Sequence, residues 1–174
     1  MISYILAILS GLLVLGADQY TKEYNVSNFE LAEQKEFLNV FIDLVYIHNK
    51  GVAWGLLQGH TWVLLAVTIA VMFVCVAMLL KFGFKNKLMF WAISLVFFGG
   101  IGNMIDRVFR DGNVVDFLHF EFIPDFPVFN VADCGIVIGA GLLILYFVID
   151  MVKESRQKKM EIKLNEGTNE DGNN

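Results

Sequence analysis

The sequence predicts an α-helical polytopic membrane protein with four transmembrane helices and a small extracytoplasmic β-sheet, or cradle, in the first outer connection. Hydrophobic residues make up 56% of the 174 residues, above the roughly 45–50% that is usual for globular chains. They are concentrated in four windows that carry few charges and have about the length that spans a bilayer as a helix. The connection after the first window is rich in β-branched and aromatic residues, which indicates short strands.

The four predicted spans cover about residues 2–19, 61–80, 88–105 and 134–152. The first window is a little short of the roughly 20 residues that cross a bilayer, so Asp18 is expected near a membrane face. A cleaved signal peptide is the alternative, since LGA at 15–17 resembles a small-residue cleavage site. The window has no basic N-terminal region, and the residues after it have the features of a functional site. We therefore expect it to remain as an anchor.

Lysine and arginine indicate the orientation. They are concentrated in the link KFGFKNK between the second and third spans and in the segment after the fourth span. The long connections, 20–60 and 106–133, are net acidic. The positive-inside rule then places both termini in the cytoplasm and both long connections outside. Residues 1–152 form a single predicted membrane domain, and the polar tail 153–174, first basic and then acidic, is expected to be disordered.

Strand-forming residues occupy part of the first outer connection, where LNVFIDLVYIH spans 38–48. The period-2 alternation is only partial, so the run predicts short strands or a small sheet. A small sheet that lies on the outer leaflet fits this composition better than a free domain.

Polar residues mark the ends of two predicted spans. Asp18 and Lys22 are one helical turn apart and can pair; the alternative is a charged collar that ends a transmembrane helix. Asn103, Asp106 and Arg107 share one face at the outer end of the third span. They are either a polar helix end, with Asp106 paired to Arg107, or a group that faces the bundle. The second reading is favoured because Asn103 lies a turn deeper, where water does not supply hydrogen bonds.

Two carboxylates near the fourth span are the candidates for chemistry. Asp133 opens that span and could simply be a helix N-cap, with Asn130 one turn before it. Asp116 lies in the apolar run VVDFLHF, where a lone carboxylate is costly, and a pocket shared with Asp133 and Arg107 would compensate for it. Two adjacent carboxylates do not both ionise easily. One can then activate water while the protonated one polarises a peptide carbonyl, and the helix N-terminus favours Asp133 as the ionised base.

Other catalytic classes lack their motifs. The sequence has no H-E-x-x-H, no G-x-S-x-G, no P-loop and no dinucleotide fingerprint, and its three histidines show no metal-ligand spacing. No basic patch with interleaved aromatic residues indicates nucleic-acid binding. The remaining readings are a pair of catalytic aspartates, a small ion- or proton-coupled carrier that uses the same acids, and a non-catalytic scaffold. Four spans without an inverted repeat or a pair of broken helices disfavour the carrier.

Five sequence blocks, in order, resemble the lipoprotein signal peptidase (signal peptidase II) family, the aspartic membrane peptidases that process bacterial prolipoproteins. The blocks are DQYTK at 18–22, NKGVAWG at 49–55, GGIGNMIDR at 99–107, VVDF at 114–117 and FPVFNVAD at 126–133. Two features depart from the family pattern. His48 stands where many relatives have arginine, and the link from Arg107 to Asp116 is about one residue longer than usual.

The resemblance implies an endopeptidase that cleaves a prolipoprotein just before a lipobox cysteine already carrying diacylglycerol. It implies that Asp116 and Asp133 are catalytic, and that the following residues line or support the site: Asp18, Lys22, Asn49, Gly51, Asn103, Asp106, Arg107, Asn130 and Ala132. Asp106 is expected to be a structural partner of Arg107. The resemblance implies no metal or organic cofactor, and it suggests a monomer in a bacterial cytoplasmic membrane with the site toward the outer face. Its expected partners are the prolipoprotein and membrane lipids, not nucleic acid.

Overall fold

The computed structural model describes residues 1–39, 41–51, 59–82 and 86–171, with side chains described up to residue 162. The described residues form four helices and three strands. In chain order these are α1 (Ile2–Asn28), β1 (Gln34–Glu36), β2 (Ile42–Asn49), α2 (Thr61–Phe82), α3 (Lys87–Phe109), β3 (Val114–Phe120) and α4 (Val131–Asp171).

Each of the four helices is long and apolar enough to cross a membrane, in α4 over Val131–Ile162. This confirms the four-span prediction. Helix α3 lies at the centre, since it packs against the other three and 44% of its apolar stretch is buried, compared with 17% or less in the others. The outer helices turn large apolar side chains such as Leu13, Phe73 and Val137 away from the protein, as expected of surfaces that face lipid tails.

Glycines allow α3 to approach its neighbours closely. A Cβ atom added at Gly99 would lie 2.6 Å from the backbone oxygen of Ala132 at the start of α4. A Cβ atom added at Gly102 would lie 2.6 Å from Oδ2 of Asp18 on α1. These separations are far below van der Waals contact, so larger residues there would push the helices apart and separate the polar groups they carry.

The three strands form one antiparallel sheet in the order β1-β2-β3. The predicted sheet is therefore present, but its third strand comes from the second long connection. Strand β3 pairs with β2 from Ile42↔Phe120 to Asn49↔Val114, with an irregularity between Leu44 and Ile47. The buried side chains of Tyr46, Val115 and Phe117 pack this sheet against Val26 and Phe29 at the end of α1.

Helix α1 is nine residues longer than its predicted span. The hydropathy falls near residue 19, which predicted the end of the span there. In the structure, the helix continues through polar residues, two of which bond to the preceding turn: Thr21 Oγ1 donates to the Ala17 carbonyl at 2.7 Å, and Asn25 Nδ2 donates to the Thr21 carbonyl at 2.8 Å. Asp18 and Lys22 therefore lie inside a helix rather than at its end.

Helix α4 continues to Asp171, which differs from the disordered tail expected after Val152. Residues 153–162 are mainly straight-chain residues that favour helix, and no Gly or Pro interrupts α4 between Gly141 and Gly167. At about 1.5 Å per residue the 41-residue helix is about 60 Å long, roughly twice the hydrocarbon thickness of a bilayer. Its C-terminal half therefore projects beyond the membrane.

Candidate active site

Polar side chains from α1, β2, α3, β3 and the start of α4 meet at one end of the helical bundle. Most are almost fully buried. Asp18, Lys22, Asp106 and Asn130 have no solvent exposure, and Asp116 has 2%. Buried polar groups need partners, and here each finds them on a different segment of the chain.

Asp116 lies on β3 between two amide groups. Asn49 Nδ2 donates to its Oδ2 at 2.8 Å, and Asn130 Nδ2 donates to its Oδ1 at 2.6 Å. The amide of Asn49 is itself fixed, because its Oδ1 accepts the backbone N–H of Gly51 at 2.9 Å. Asn49 must therefore present its donor end to the carboxyl group.

Asn130 and Asp133 cap the start of α4 with two reciprocal hydrogen bonds. The N–H of Asp133 donates to Asn130 Oδ1 at 3.0 Å, and the N–H of Asn130 donates to Asp133 Oδ2 at 3.1 Å. This is the geometry of a capping box. The alternative of Asp133 as the N-cap is wrong: Asn130 precedes the helix and caps it, and Asp133 is the third helical residue. The bonds also leave Asn130 Nδ2 free to reach Asp116.

Asn103 connects Asp133 to a buried lysine. Its Nδ2 donates to Asp133 Oδ1 at 2.7 Å, while its Oδ1 accepts from Lys22 Nζ at 3.0 Å and from Asn130 Nδ2 at 3.1 Å. Two donors at the oxygen end fix the amide orientation, so its nitrogen end faces Asp133. Asp116 and Asp133 thus belong to one continuous hydrogen-bond network.

Lys22 lies between two carboxylates without exposure to solvent. Its Nζ is 2.8 Å from Asp18 Oδ2 and 3.1 Å from Asp106 Oδ2. The i, i+4 pair of Asp18 and Lys22 suggested by the sequence is therefore present. Each carboxylate also accepts a backbone N–H beside a candidate catalytic residue: Asp18 from Ala132 at 2.9 Å, and Asp106 from Val115 at 3.0 Å.

The predicted pairing of Asp106 with Arg107 is wrong. Asp106 pairs with Lys22 and, at 3.4 Å, with Nε of Arg110. Arg107 instead donates to the backbone oxygens of Gly51 at 3.1 Å and Asn103 at 3.4 Å. Consecutive residues of a helix point about 100° apart, so Asp106 faces α1 while Arg107 faces the cavity.

A cavity of about 740 Å³ begins at these groups and extends between α2, α3 and α4. Asp116 and Asp133 both line it, so the structure places the two predicted carboxylates on one pocket. Its polar end also includes Asn49, Asn103 and Arg107, whereas the rest of its wall is mostly apolar and aromatic, with Leu64, Val67, Val71, Met72, Cys75, Val96, Phe97, Phe120, Phe126, Phe129, Ile136, Val137 and Ile138. The cavity is therefore suited to a long apolar ligand with one polar group at the carboxylates.

Burial raises the pKa of Asp116 to about 7, and the nearby carboxyl group of Asp133 contributes in the same direction. The hydrogen bonds from Asn49 and Asn130 act against this rise but are weaker. Near neutral pH, Asp116 can therefore hold a proton.

Two residues of the network were missed by the sequence analysis. Gln19 Nε2 contacts Asp18 Oδ2 at 3.0 Å and the Gly102 carbonyl at 3.1 Å; its place in the block DQYTK was the available signal. Arg110 bridges Asp106 and Glu23, and its spacing of four from Asp106 could have indicated it. His48, the departure from the family pattern, contacts the Tyr46 hydroxyl at 2.7 Å. Residues 52–55 of the block NKGVAWG lie outside the described residues.

No group of three or more His, Cys, Asp or Glu side chains that could hold a metal ion occurs within the described ranges. The polar end of the cavity is built instead from carboxylates, amides and one guanidinium group. These groups can form hydrogen bonds, and the carboxyl groups can exchange protons.

Comparison with known families gives a match to the model described as signal peptidase (SPase) II over residues 10–149. Among similar proteins, the lipoprotein signal peptidase of Enterococcus faecalis is 40% identical over 144 residues, covering 82% of this chain and 87% of that protein. The lipoprotein signal peptidase of Bacillus subtilis is 33% identical over 149 residues, covering 85% of this chain and 96% of that protein.

Two solved structures, both described as bacterial membrane enzymes determined by the in meso method, share the fold. The first superposes with a TM-score of 0.79 at 35% sequence identity and covers 84% of this chain and 89% of its own. The second has a TM-score of 0.75 at 36% identity and covers 82% of this chain and 92% of its own.

Proposed function

The chain belongs to the signal peptidase II family, and from that premise we propose that it is an aspartic endopeptidase of lipoprotein maturation. It is a peptidase and a multi-pass bacterial membrane protein. Its proposed substrate is a prolipoprotein with a diacylglyceryl-modified cysteine, and the proposed scissile bond is the peptide bond just before that cysteine. Relatives named lipoprotein signal peptidase support this substrate class.

The observation that carries the proposal is the arrangement of Asp116 and Asp133 on one cavity. Both carboxyl groups line it, and Asn130 contacts both. A water molecule between two carboxyl groups can lose a proton to one while the other donates a hydrogen bond to the scissile carbonyl.

The surroundings support different roles for the two carboxyl groups. Asp116, with its raised pKa, is the proposed proton carrier. Asp133 lies in the first turn of α4, accepts two N–H donors and faces the cavity, and it is the proposed base.

Hydrolysis would proceed in two steps. Asp133 takes a proton from water, the water oxygen attacks the carbonyl carbon, and the Asp116 proton passes to the carbonyl oxygen. The resulting tetrahedral diol then collapses: the C–N bond breaks, a proton moves from the Asp133 carboxyl to the leaving amine, and Asp116 regains its proton from the diol hydroxyl. Both carboxyl groups end in their starting states.

Arg107 offers a further hydrogen-bond donor to the substrate, since its buried Nε has no hydrogen-bond partner among the described residues.

Three asparagines preorganise this site. In Asn49, Asn103 and Asn130 an N–H donor occupies the amide oxygen, and the amide nitrogen faces Asp116 or Asp133. Groups fixed before substrate arrives need no reorganisation during the reaction, and such electrostatic preorganisation is a large part of enzymatic rate enhancement. The apolar remainder of the cavity would hold the signal helix and lipid chains of the substrate.

The proposed orientation places both termini in the cytoplasm and the carboxylate pair at the outer face, because the basic connections lie at the opposite end of the helices. A monomer contains every residue of the proposed site. The alternative of an ion- or proton-coupled carrier is not favoured, because the chain belongs to a family of peptidases.

The test is cleavage of a diacylglyceryl-modified prolipoprotein by the purified protein in detergent with a chelator present. Asp116→Asn and Asp133→Asn should each lower kcat/KM by about 10²–10⁴-fold, the usual contribution of acid–base catalysis, and should remain folded. Asp111→Asn is the matched control, because Asp111 is an exposed turn residue with a φ of 52° that asparagine tolerates. Normal cleavage by both variants would contradict the proposal, and so would loss of activity on chelation.

A further inference from the structure

An apolar group lies at the end of the sheet farthest from the carboxylate pair. We call it the sheet tip, and it consists of Phe37, Leu38, Phe41, Phe122 and Ile123. The first three belong to the turn between β1 and β2, and the other two follow β3. All five are exposed, with Phe41 at 62% and Phe122 at 57%. Exposed apolar groups of this size on a protein surface usually mark an interaction site.

Contacts between the two segments make the sheet tip one surface. The rings of Phe41 and Phe122 meet edge to face with their centroids 6.1 Å apart. In the turn, the N–H of Leu38 donates to the Ile42 carbonyl at 2.8 Å, and the N–H of Phe41 donates to the Leu38 carbonyl at 3.2 Å. Ile42 pairs with Phe120 in the sheet, which brings the turn beside the end of β3.

A chain of aromatic contacts joins the sheet tip to the cavity wall. Phe122 contacts Phe120 at 5.4 Å between centroids, and Phe120 contacts Phe126 at 5.1 Å and Phe129 at 4.9 Å. The last three line the cavity together with Val137 on α4, which is 69% exposed on the surface that faces lipid. The sheet tip is therefore continuous with the apolar outer surface of the helices.

We propose that the sheet tip inserts into the interfacial region of the bilayer, on the membrane face that carries Asp116 and Asp133, and that the lipid surface is its partner. Aromatic side chains are enriched at this depth in membrane proteins. The proposal depends on the membrane spans and not on the peptidase chemistry. It assigns the sheet a second contact with the bilayer, beyond the helices that carry it.

The charges near the sheet tip specify the kind of lipid contact. Segments 36–41 and 120–126 contain Glu36, Glu121 and Asp125 but no lysine or arginine. Attraction to anionic headgroups therefore does not drive insertion, and burial of apolar surface does. A zwitterionic bilayer of phosphatidylcholine should be sufficient.

The test measures how deeply spin labels at single cysteines lie in phosphatidylcholine vesicles. Phe41→Cys and Phe122→Cys are each made in the full chain with Cys75→Ala and Cys134→Ala. Leu31→Cys is the matched control, because Leu31 is 61% exposed, almost the same as Phe41, but precedes β1 at its other end. Helix α1 is about 40 Å long and carries that end beyond the roughly 30 Å hydrocarbon layer.

Labels at 41 and 122 should be accessible to oxygen and shielded from a water-soluble nickel complex, with an accessibility ratio several-fold above that of the label at 31. Equal nickel accessibility at 41 and 31 would overturn the proposal. So would dipolar broadening at 41 that disappears on dilution with unlabelled protein, because a second copy of the chain would then be the partner. Circular dichroism of the labelled variants identifies any that fail to fold, and Phe122→Cys provides an independent reading if Phe41→Cys does.

Discussion

Two pairs of carboxylates lie side by side in this molecule, all buried except the half-buried Asp133, and their charges are compensated differently. Asp18 and Asp106 share the ammonium group of Lys22 at 2.8 and 3.1 Å. Among the described residues, Asp116 and Asp133 accept hydrogen bonds only from neutral amides and one backbone N–H group, while Arg107 directs its hydrogen bonds to backbone oxygens. The first group is an ion cluster that holds segments together. Within the part of the chain that the structure describes, the second pair has no direct cationic partner, and its Asp116 can hold a proton near neutral pH.

The ion cluster positions the backbone next to both residues of the carboxylate pair. Asp18 binds the N–H of Ala132, next to Asp133, and Asp106 binds the N–H of Val115, next to Asp116. Lys22 also fixes the amide of Asn103, which contacts Asp133. An ion cluster beneath the site can thus maintain the geometry of a pair whose two carboxyl groups exchange protons with the substrate and water during the reaction.

Removal of Lys22 should have the largest effect on stability. Lys22→Met leaves Asp18 and Asp106 buried without their cation, and breaking a buried ion pair typically destabilises by about 3–5 kcal/mol. The free energy of unfolding in detergent measures this. Lys35→Met is the control, because the Lys35 pair with Glu33 is half-exposed and such pairs contribute about 0–1 kcal/mol. Equal losses in the two variants would show that the buried cluster has no special structural role.

Asn130→Asp should separate the two roles of Asn130, which caps α4 and donates a hydrogen bond to Asp116. The new side chain can still accept the N–H of Asp133, but it cannot donate to Asp116. A hydrogen bond to a charged group is worth roughly 1.5–3 kcal/mol, so kcat/KM should fall by roughly 10–100-fold. An added negative charge should also raise the pKa of Asp116 further, and the alkaline limb of the pH profile should move upward. Asn130→Ala, which loses the cap as well, is the comparison, and an unchanged profile in Asn130→Asp would contradict the proposed contact.

The pH dependence of the unaltered enzyme should show an alkaline limb near pH 7. Asp116 must be protonated to donate, and its pKa is raised to about 7. Below that pH the proton is present; above it, kcat/KM should fall by up to about tenfold for each pH unit. The profile is measured with saturating detergent and constant ionic strength. A profile that stays flat from pH 6 to 9 would assign the acid to another group.

The smallest effect should come from the outer edge of the ion cluster. Glu23 is 65% exposed where it meets Arg110 at 2.9 Å. Glu23→Gln should therefore lower the free energy of unfolding by about 1 kcal/mol or less and leave cleavage unchanged. A loss comparable to that of Lys22→Met would mean that the cluster extends functionally to the surface.

Hydropathy was sufficient to predict the four spans, because lipid requires each to be a continuous apolar helix. It did not predict where α1 ends, since the last turns of that helix are polar and contact other segments, as Lys22 contacts Asp106 and Val26 packs against the sheet. Strand β3 was missed because its partner β2 lies about 70 residues earlier, and pairing over that separation leaves no local pattern. The predicted Asp106–Arg107 pair was wrong because the approach of α1 to α3 brings Lys22 to Asp106, and this approach is a tertiary property.

The capping box at the start of α4 affects how an alanine scan of this protein would be read. The carboxyl group of Asp133 both faces the cavity and accepts the N–H of Asn130, whereas Asp116 caps nothing. Alanine at 133 would therefore loosen the first turn, because it removes the acceptor of the Asn130 N–H, a hydrogen bond worth about 0.5–1.5 kcal/mol, as well as remove the base. A scan would then overstate the importance of Asp133 relative to Asp116. Asparagine, which retains a side-chain oxygen, gives the fair ranking of the two.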